Sequence, residues 1–538
     1  MRNLIIGIAS AMITLTACDA LDITPSDSYS DPVVWQDQNL IKMFVNDQYG
    51  ALVGQDNFYR YSFFSDETYQ KYNDEGCNYI RENILTSDNI GAVSDVLNYW
   101  NTGYSYIHKV NTFFTNIETA NVDADFKTQM IGEMKFIRAF IYFRLIRSYG
   151  GVPIIEEVYD INSDWSSVKR NTYEECVDYI VKNLDEVIAT LPDRPTERDR
   201  ASANAARALK SRVLLYSASA LNNPDGNKEK WQKAADAAKD LLDKGYVLAD
   251  NYREMFLDVA NSEYIFAKEY NEKYSHVLGF NFACTGDGGR GWSTPSQNLV
   301  DAYETLDGEI PVLNTETGEV NPKSMYNPEN SYANRDPRFY DCIYYNGSTT
   351  VNNRIVETFQ GGADMLNQDM TMTGYYCRKF INENEPVSQS HHYTTPFPFF
   401  RLAEIYLNYA EAEYHLGNED IAREYVNKVR ARNSVNMPAI TESGEALLKR
   451  IYHERQIELA FEGHRYFDLR RWKIADNQPI IGFKITKAEN GDLTYERYTL
   501  SLTSRKTDWK DAFFVLPIHY QEIQKSNNSL VQNPGYSE

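Results

Sequence analysis

The chain has 538 residues, of which 42% are apolar and 24% are charged, an ordinary balance for a globular protein. Its formal net charge of −22 argues against nucleic acid or an anionic membrane surface as a partner. The 40 Tyr, 25 Phe and 7 Trp must in part form the core. A tyrosine-rich surface also suits ligand binding, because an aromatic ring offers a large contact area at a low cost in conformational entropy.

The N-terminus has the pattern of a lipoprotein export signal. A positive residue is followed by a mostly apolar run over residues 4–15. The sequence Leu-Thr-Ala-Cys that ends at Cys18 resembles a bacterial lipobox, which implies removal of residues 1–17 and lipidation of the Cys18 thiol. The alternative is an ordinary signal peptide with an incidental cysteine. Residues 18–31 are polar and contain a proline, so we expect a flexible tether there.

The remaining cysteines do not form a recognisable framework. They are widely spaced and make neither a disulfide pattern nor a Cys-x-x-Cys motif for a metal or redox centre: Cys77, Cys176, Cys284, Cys342 and Cys377. We expect buried thiols, with at most one disulfide. No apolar run after the signal is long enough to span a bilayer.

Apolar residues at helical spacing predict a mainly helical chain. Before residue 250 the predicted helices cover 39–53, 93–119, 125–149, 172–191, 201–221 and 228–244. Between residues 250 and 395 this signal stops, and Gly, Asn, Pro and Thr become frequent. The stretch is too long for a loop inside a compact domain. We therefore predict a loop-rich, partly β insert, a kind of segment that often carries function.

The stretch 396–472 shows how the helices pair. Its first helix carries an apolar stripe of Leu402, Ile405, Tyr406, Tyr409 and Ala412. Gly417 is expected to end this helix and Asn418 to cap the next one, as in a tetratricopeptide-type hairpin. One hairpin cannot bury its own apolar face, so it needs neighbours.

The other predicted helices supply these neighbours. We expect about four hairpins, at 93–149, 172–221 with 228–244 packed on, 400–431 and 445–462. The predicted organisation is a single domain over residues 32–538, with a helical scaffold mainly at 93–249 and 396–475 and the insert at 250–395.

A dense group of charges near the end of the scaffold has two interpretations. Its members are Glu454, Arg455, Glu458, Glu462, Arg465, Asp468, Arg470 and Arg471. Two of the carboxylates could act as acid and base, or the group could be a salt-bridged face that fixes the last helix. We favour the salt-bridged face.

Metal and phosphate motifs are incomplete. His453-Glu454 begins a zinc-protease motif, but Ile457 stands where the second histidine ligand is required. His391-His392 is interpreted as a surface pair, and the glycines at 286–291 and 361–362 as turns that lack the phosphate-loop pattern. We therefore predict no metal and no cofactor.

Seven blocks together resemble the SusD/RagB family, the surface lipoproteins of Bacteroidetes that capture nutrients beside an outer-membrane transporter. They occur in the family's order and span nearly the whole mature chain: KFIRAFIYFRLIRSYGGVPI (135–154), RASANAARALKSRVLLYSASA (200–220), TPSQNLVDAYETLDG (294–308), NRDPRFYDCIYYNG (334–347), FRLAEIYLNYAEAEYHLGN (400–418), ERQIELAFEGHRYFDLRRW (454–472) and LPIHYQEIQKSNNSLVQNPGY (516–536). The resemblance implies a helical fold with four tetratricopeptide-like hairpins, a variable ligand-binding half, a SusC-like TonB-dependent transporter as partner, and no catalysis.

Two stretches have the composition of a sugar-binding site. A sugar ring packs its C–H face on an aromatic ring while charged or amide groups bind its hydroxyls. Residues 59–75 supply such a mixture, and glycines over 286–291 place Arg290 and Trp292 at a predicted loop tip.

The resemblance to the family's starch-binding founder assigns roles within these stretches. It implies that Tyr72 and Trp292 are aromatic plates, that is, rings on which a sugar can stack. The other implied ligand-binding residues are Tyr69 beside Tyr72, Arg60 as a hydroxyl-binding arginine, and Asn73, Asp74 or Glu75 as polar partners. Tyr72 replaces a tryptophan of the founder, so the identity of the ligand does not carry over. Packing of the insert is the alternative role for both plates.

These observations predict a glycan-binding, lipid-anchored protein of the outer membrane that faces the cell surface. It would hand oligosaccharide to the transporter, without catalysis and without nucleic acid. One alternative is the same architecture with a peptide or another nutrient as ligand. The other alternative is a helical glycoside hydrolase, which would need two carboxylates at a set separation.

Overall fold

The computed structural model describes residues 31–52, 58–70, 72, 75–159, 163–195, 197–365, 371–475, 479–500 and 509–537. Cys18 and the residues of the predicted signal peptide and tether, up to residue 30, lie outside these ranges. Within them, no helix is both long and apolar enough to cross a membrane.

Helices make up most of the regular structure, and the strands are short. The helices are α1 (Asp31–Val34), α2 (Gln38–Gln48), α3 (Cys77–Arg81), α4 (Trp100–Ile117), α5 (Ala124–Tyr149), α6 (Tyr173–Thr190), α7 (Ala203–Ala218), α8 (Lys228–Lys239), α9 (Tyr252–Met255), α10 (Leu278–Phe282), α11 (Gln297–Ala302), α12 (Pro337–Cys342), α13 (Leu402–Leu416), α14 (Glu419–Arg430), α15 (Gly444–Glu458), α16 (Arg465–Arg471) and α17 (Tyr520–Lys525). The prediction of a mainly helical fold is confirmed.

The strands form antiparallel pairs rather than one sheet. The pairs are β1 (Thr68–Gln70) with β3 (Ser293–Pro295), β2 (Tyr264–Lys268) with β8 (Phe397–Arg401), β4 (Val312–Asn314) with β5 (Glu319–Val320), β6 (Ile343–Tyr344) with β7 (Tyr376–Cys377), and β9 (Ile481–Lys487) with β10 (Leu493–Thr499). The pairs β1–β3 and β2–β8 join segments that are far apart in sequence, so they attach the 250–395 region to the rest of the molecule.

The long helices stack in sequence. Helix α5 packs between α4 and α6, α7 packs on α6 and α8, and α13 packs on α8 and α14. The Leu402, Ile405, Tyr409 and Ala412 positions of the predicted stripe are buried. Each helix therefore covers its apolar face with its neighbours, as hairpin repeats must.

The ends of these helices follow local chemistry. Thr172 and Glu175 form a reciprocal capping box at the start of α6. Gly417 ends α13 with φ of 93°, a conformation that glycine adopts without a steric penalty. Asn418 stands at the predicted cap position, but its side chain does not cap α14: its Nδ2 donates to Glu413 Oε2 at 2.6 Å.

The charged group at the end of the scaffold forms a buried ionic network. Glu458 binds Arg401 at 2.7 Å, Arg432 at 2.9 Å and Arg338 at 2.9 Å, and all four side chains are at most 1% exposed. Burial alone would raise the pKa of Glu458, but the guanidinium groups of Arg432, Arg401 and Arg338 hold it well below its ordinary value. The salt-bridged interpretation is confirmed.

The same network reaches beyond the last helices. Lys379 of the 250–395 region binds Glu462 at 2.8 Å, and Arg338 of α12 binds Glu454 at 2.5 Å. Farther along, Arg471 binds Glu411 of α13 at 2.5 Å. The network thus attaches the 250–395 region to the scaffold, which the sequence did not predict.

The cysteines are buried, and two of the histidines form hydrogen bonds within the protein. The five described cysteines are buried free thiols. His453 Nε2 lies 2.7 Å from the Ala302 carbonyl oxygen, and His392 Nδ1 lies 2.8 Å from Ser275 Oγ. No group of three or more ligating side chains that could hold a metal ion occurs among the residues that the structure describes.

Candidate ligand-binding site

The pairing of β1 with β3 brings the two predicted stretches together. Tyr69 lies opposite Thr294 in the antiparallel register. Tyr72 follows β1 by two residues, and Trp292 directly precedes β3. The Arg290 guanidinium lies over both rings, 5.8 Å from the Tyr72 centroid and 5.1 Å from the Trp292 centroid. We call Tyr69, Tyr72, Arg290 and Trp292 the Tyr72–Trp292 surface.

The two plates differ in exposure. Tyr72 is 40% exposed, so a large part of its ring is open to a ligand. Trp292 is only partly exposed, because its ring packs edge-on against Tyr59 at 5.9 Å and Phe63 at 5.4 Å. Its indole Nε1 is buried and donates no hydrogen bond to any described residue. The Trp292 ring is therefore partly buried against its neighbours. It does not stand free at a loop tip, as the glycine-rich sequence predicted.

The loop that carries Arg290 is held in place. Arg354 binds Asp287 through Nε at 3.0 Å and Asp364 through Nη1 at 2.5 Å. Asp364 also accepts the Gly286 backbone N–H at 2.9 Å. A Cβ at Gly289 would lie 2.4 Å from the Ala283 carbonyl oxygen, so the close approach of the two backbones requires glycine.

Backbone N–H groups of the same loop are also hydrogen-bonded. Arg290 donates to the Phe280 carbonyl and Trp292 to the Asn281 carbonyl, both at 2.9 Å. The sequence suggested flexible glycines, but the ion pairs and backbone bonds make this a fixed loop. A fixed loop loses little entropy when a ligand binds.

β1 is anchored to the scaffold just before Tyr69. Asp66 accepts two hydrogen bonds from Arg465 of α16, both at 2.8 Å. The neighbouring Glu67 is buried and accepts from Ser62 Oγ at 2.7 Å and from the Phe461 N–H at 3.3 Å. Burial raises the pKa of Glu67 to about 7. Arg465, predicted as part of the charged group, thus holds the segment that leads into β1.

Arg60 and Glu75 bind each other. The Arg60 Nη2 donates to Glu75 Oε2 and, at 2.7 Å, to Ser94 Oγ. Glu75 is 6% exposed, so its predicted hydroxyl contact would require the carboxylate to leave this buried pair. Arg60 is partly exposed. Asn73 and Asp74 lie outside the described residues.

Tyr69 has two neighbours that sequence reasoning missed. The Arg81 guanidinium lies 4.9 Å from the centre of its ring. Tyr498 on β10 interacts electrostatically with Tyr69: burial raises the pKa of Tyr498, and the charge of Tyr69 adds to the shift. Tyr498 donates its hydroxyl hydrogen to the Met372 carbonyl. The Asn490-Gly491 pair, a strong hairpin signal, could have revealed the β9–β10 hairpin that brings Tyr498 here.

Comparison with known protein families decides the classification. The sequence model of a family described as the SusD family matches residues 262–536, just over half of the chain. The chain belongs to the SusD family. A second model, described as starch-binding associating with outer membrane, matches residues 20–215. The resemblance seen in the sequence is therefore confirmed over both halves of the chain.

Individual SusD-like proteins agree with this assignment. The starch-binding protein SusD of Bacteroides thetaiotaomicron is 25% identical over 453 residues, which are 79% of this chain and 76% of that protein. A SusD-like protein from Bacteroides fragilis superposes with a TM-score of 0.80 and 27% identity, covering 95% of this chain and 100% of the other. A SusD-like carbohydrate binding protein from the same species gives 0.77 and 25%, covering 93% and 99%.

The descriptions of these relatives concern binding. SusD is called starch-binding, and one of the two structures is called carbohydrate binding. None of the three descriptions names a reaction.

Proposed function

We propose that this SusD-family protein captures oligosaccharide on the Tyr72–Trp292 surface and delivers it to a SusC-like TonB-dependent transporter in the outer membrane. The observation that carries the proposal is the position of the Arg290 guanidinium over both the Tyr72 and Trp292 rings. The descriptions of the relatives as starch-binding and carbohydrate binding support it.

The chemistry of the surface suits a sugar. The exposed Tyr72 ring offers an apolar face to the C–H groups of a pyranose. The Arg290 guanidinium, with up to five N–H donors, can bind neighbouring hydroxyls on the rim of the same sugar. The fixed loop and the anchored β1 strand hold these groups before the ligand arrives, which lowers the entropy cost of binding.

A hydrolase is less consistent with the same surface. Glycoside hydrolysis needs one carboxylic acid to give a proton and a second carboxylate to act as base or nucleophile. Glu75 is paired with Arg60, and Asp287 is paired with Arg354. Both carboxylates are thus held by arginine, which favours binding without catalysis.

The site is tested by retardation of residues 19–538 in gels that contain plant, host or microbial polysaccharides. We expect one class to retard the protein, and the Tyr72→Ala and Trp292→Ala variants to lose about tenfold or more in affinity. Tyr274→Ala is the matched control, since Tyr274 is a 56% exposed tyrosine outside the Tyr72–Trp292 surface.

The outcomes of this test separate the alternatives. Equal retardation of all variants would keep glycan binding and reject these residues. Retardation by no glycan, together with binding of basic peptides, would favour the peptide alternative, which the net charge of −22 would assist. Release of shorter oligosaccharides during the incubation would support the hydrolase.

Lipid anchoring is a separate part of the proposal. We infer that residues 1–17 are removed, that Cys18 carries the lipid, that residues 18–31 are the tether, and that residues 32–538 form one domain with its insert at 250–395. In cells fed a labelled fatty acid, the wild-type protein should carry label and Cys18→Ser should not. Label retained by Cys18→Ser would contradict the anchor.

A further inference from the structure

An open groove lies between α4, residues 153–159 and 165–168, and α17. It has a volume of about 880 Å³, within the range of about 300–1,000 Å³ that is usual for small-ligand sites. Its lining residues include none of those that form the Tyr72–Trp292 surface. We call it the Trp165 groove.

Aromatic rings line both sides of the Trp165 groove. On α4, Trp100 and Tyr104 lie 5.1 Å apart. Across from them, the Tyr159 and Trp165 rings lie 4.8 Å apart at 37°. Trp165 is 38% exposed and is the one exposed tryptophan among the described residues. A tryptophan left open beside a groove is typical of a binding site rather than of packing.

Two exposed valines are next in sequence to residues that line the groove. Val158 is 43% exposed, and Val531 is 66% exposed. They lie next in sequence to Tyr159 and Leu530, which line the groove. Neither valine lines the groove itself.

The walls of the groove are fixed by hydrogen bonds. The Asn111 Nδ2 of α4 donates to the carbonyls of Ile155 and Glu157, both at 3.0 Å. On the other side, Ser529 Oγ donates to the Val168 carbonyl at 2.6 Å, and Arg170 Nη1 donates to the Val531 carbonyl at 2.8 Å. The groove is therefore a built feature of the fold, joined to both α4 and the C-terminal segment.

The polar groups indicate what the groove would accept. Asn111 lines it and is 1% exposed, yet its Oδ1 accepts no hydrogen bond from any described residue. An unpaired buried acceptor costs free energy that a ligand hydroxyl would recover. The lining charges are mixed, and Lys525 is paired with Glu522 at 2.6 Å. The rings and the unpaired amide oxygen suit an uncharged polyhydroxylated molecule, and two glutamates against one lysine in the lining disfavour an anionic one.

We propose that the Trp165 groove is a second glycan-binding site, which stacks a neutral sugar ring on Trp165 and Tyr159 and pairs a hydroxyl with Asn111. The inference rests on the proposed function, because the Trp165 groove would be a second binding site for the same polysaccharide. Two sites on one chain raise the overall affinity for a long polymer without raising that for a short oligosaccharide that fills only one of them.

The test uses residues 19–538 and a polysaccharide that retards the wild-type protein. Trp165→Ala should weaken retardation by at least about tenfold, and Trp165→Ala combined with Trp292→Ala should abolish it. In Trp292→Ala, added glycan should still slow the oxidation of Trp165 by N-bromosuccinimide, followed by mass spectrometry. Val531→Ser is the control, since Val531 is exposed and does not line the groove.

The failures of the two proposals are distinguishable. If Trp165→Ala is retarded like the wild type and glycan does not slow Trp165 oxidation, the second site is rejected while the Tyr72–Trp292 surface stands. If no polysaccharide retards the wild type, both proposals fall. If Trp165 is protected only by purified transporter, the groove is a protein contact and the glycan assignment is wrong.

Discussion

At the scale of single residues, Trp292 has two roles that the sequence could not separate. Its ring packs on Tyr59 and Phe63, while Arg290 lies over the same ring. Tyr72 is 40% exposed, so less of its ring is buried than that of Trp292. Substitutions at these two positions should therefore differ in their effect on stability even where both weaken ligand binding.

The two alanine variants test this difference. Trp292→Ala should lower the free energy of unfolding by about 1–3 kcal/mol, less than the loss of a fully buried ring. Tyr72→Ala should leave it nearly unchanged. Urea denaturation followed by circular dichroism measures both, with Trp292→Phe as a control that keeps an aromatic ring. Equal destabilisation by the two alanine variants would contradict the assigned packing.

Glu67 predicts a dependence of stability on pH. Burial raises its pKa in the folded protein to about 7, above the value of an exposed glutamate. The unfolded chain therefore loses this proton first as the pH rises, and stability falls between about pH 4.5 and pH 7, by on the order of 3 kcal/mol.

The Glu67→Gln variant isolates this contribution. Glutamine does not ionise, so Glu67→Gln should gain stability relative to the wild type between pH 5 and pH 8. The quantity to measure is the difference in unfolding free energy between the two proteins at each pH. A difference that is the same at pH 5 and pH 8 would show that Glu67 does not titrate in this way.

At the scale of secondary structure, periodicity predicted the long helices because each buries one stripe against its neighbours. Leu402 and Ile405 are fully buried on α13. The cap at Asn418 could not be predicted from residue type, because Glu413 one turn earlier competes for its side chain. The β9–β10 hairpin was not predicted although Asn490-Gly491 lies in its turn, because β10 has no fully buried face and so little apolar alternation.

The candidate site was predictable in its residues but not in its geometry. Sequence and family resemblance together singled out Tyr72, Arg290 and Trp292. The β1–β3 pairing that joins them lies between strands of three residues each, too short to give a periodic signal. The ion pairs of Arg354 that fix the loop depend on contacts between distant segments.

The packing of α13 gives a stability prediction. Leu402→Ala and Ile405→Ala should each cost about 2–5 kcal/mol, because each removes buried methyl groups from a position with no solvent access. Glu424→Ala on α14 is a surface control. Urea denaturation of the three variants checks the expectation, and a cost below about 1 kcal/mol at Leu402 would show that the stripe is not in the core.

At the scale of the whole molecule, buried ion pairs as well as a shared apolar core join the scaffold and the 250–395 region. Arg338 and Lys379 from that region meet Glu454, Glu458 and Glu462 in a buried environment. Buried ions are tolerated because each has several opposite partners, and removal of one leaves the others uncompensated.

Glu458→Gln should therefore be among the most destabilising single changes, at about 3–5 kcal/mol, because it leaves Arg338, Arg401 and Arg432 with less negative charge. Glu445→Gln, an exposed glutamate at the start of the same helix, is the matched control. The measurement is the midpoint of urea unfolding. Equal midpoints for the two variants would show that the network does not stabilise the fold.

The central claim is that a sugar binds between Tyr72 and Trp292 under Arg290. A crystal structure with an oligosaccharide cut from the retarding polysaccharide tests it most directly. We predict a pyranose stacked on the Tyr72 ring, with the Arg290 guanidinium within hydrogen-bonding distance of its hydroxyls. A sugar bound elsewhere, with the Tyr72–Trp292 surface left empty, would contradict this account.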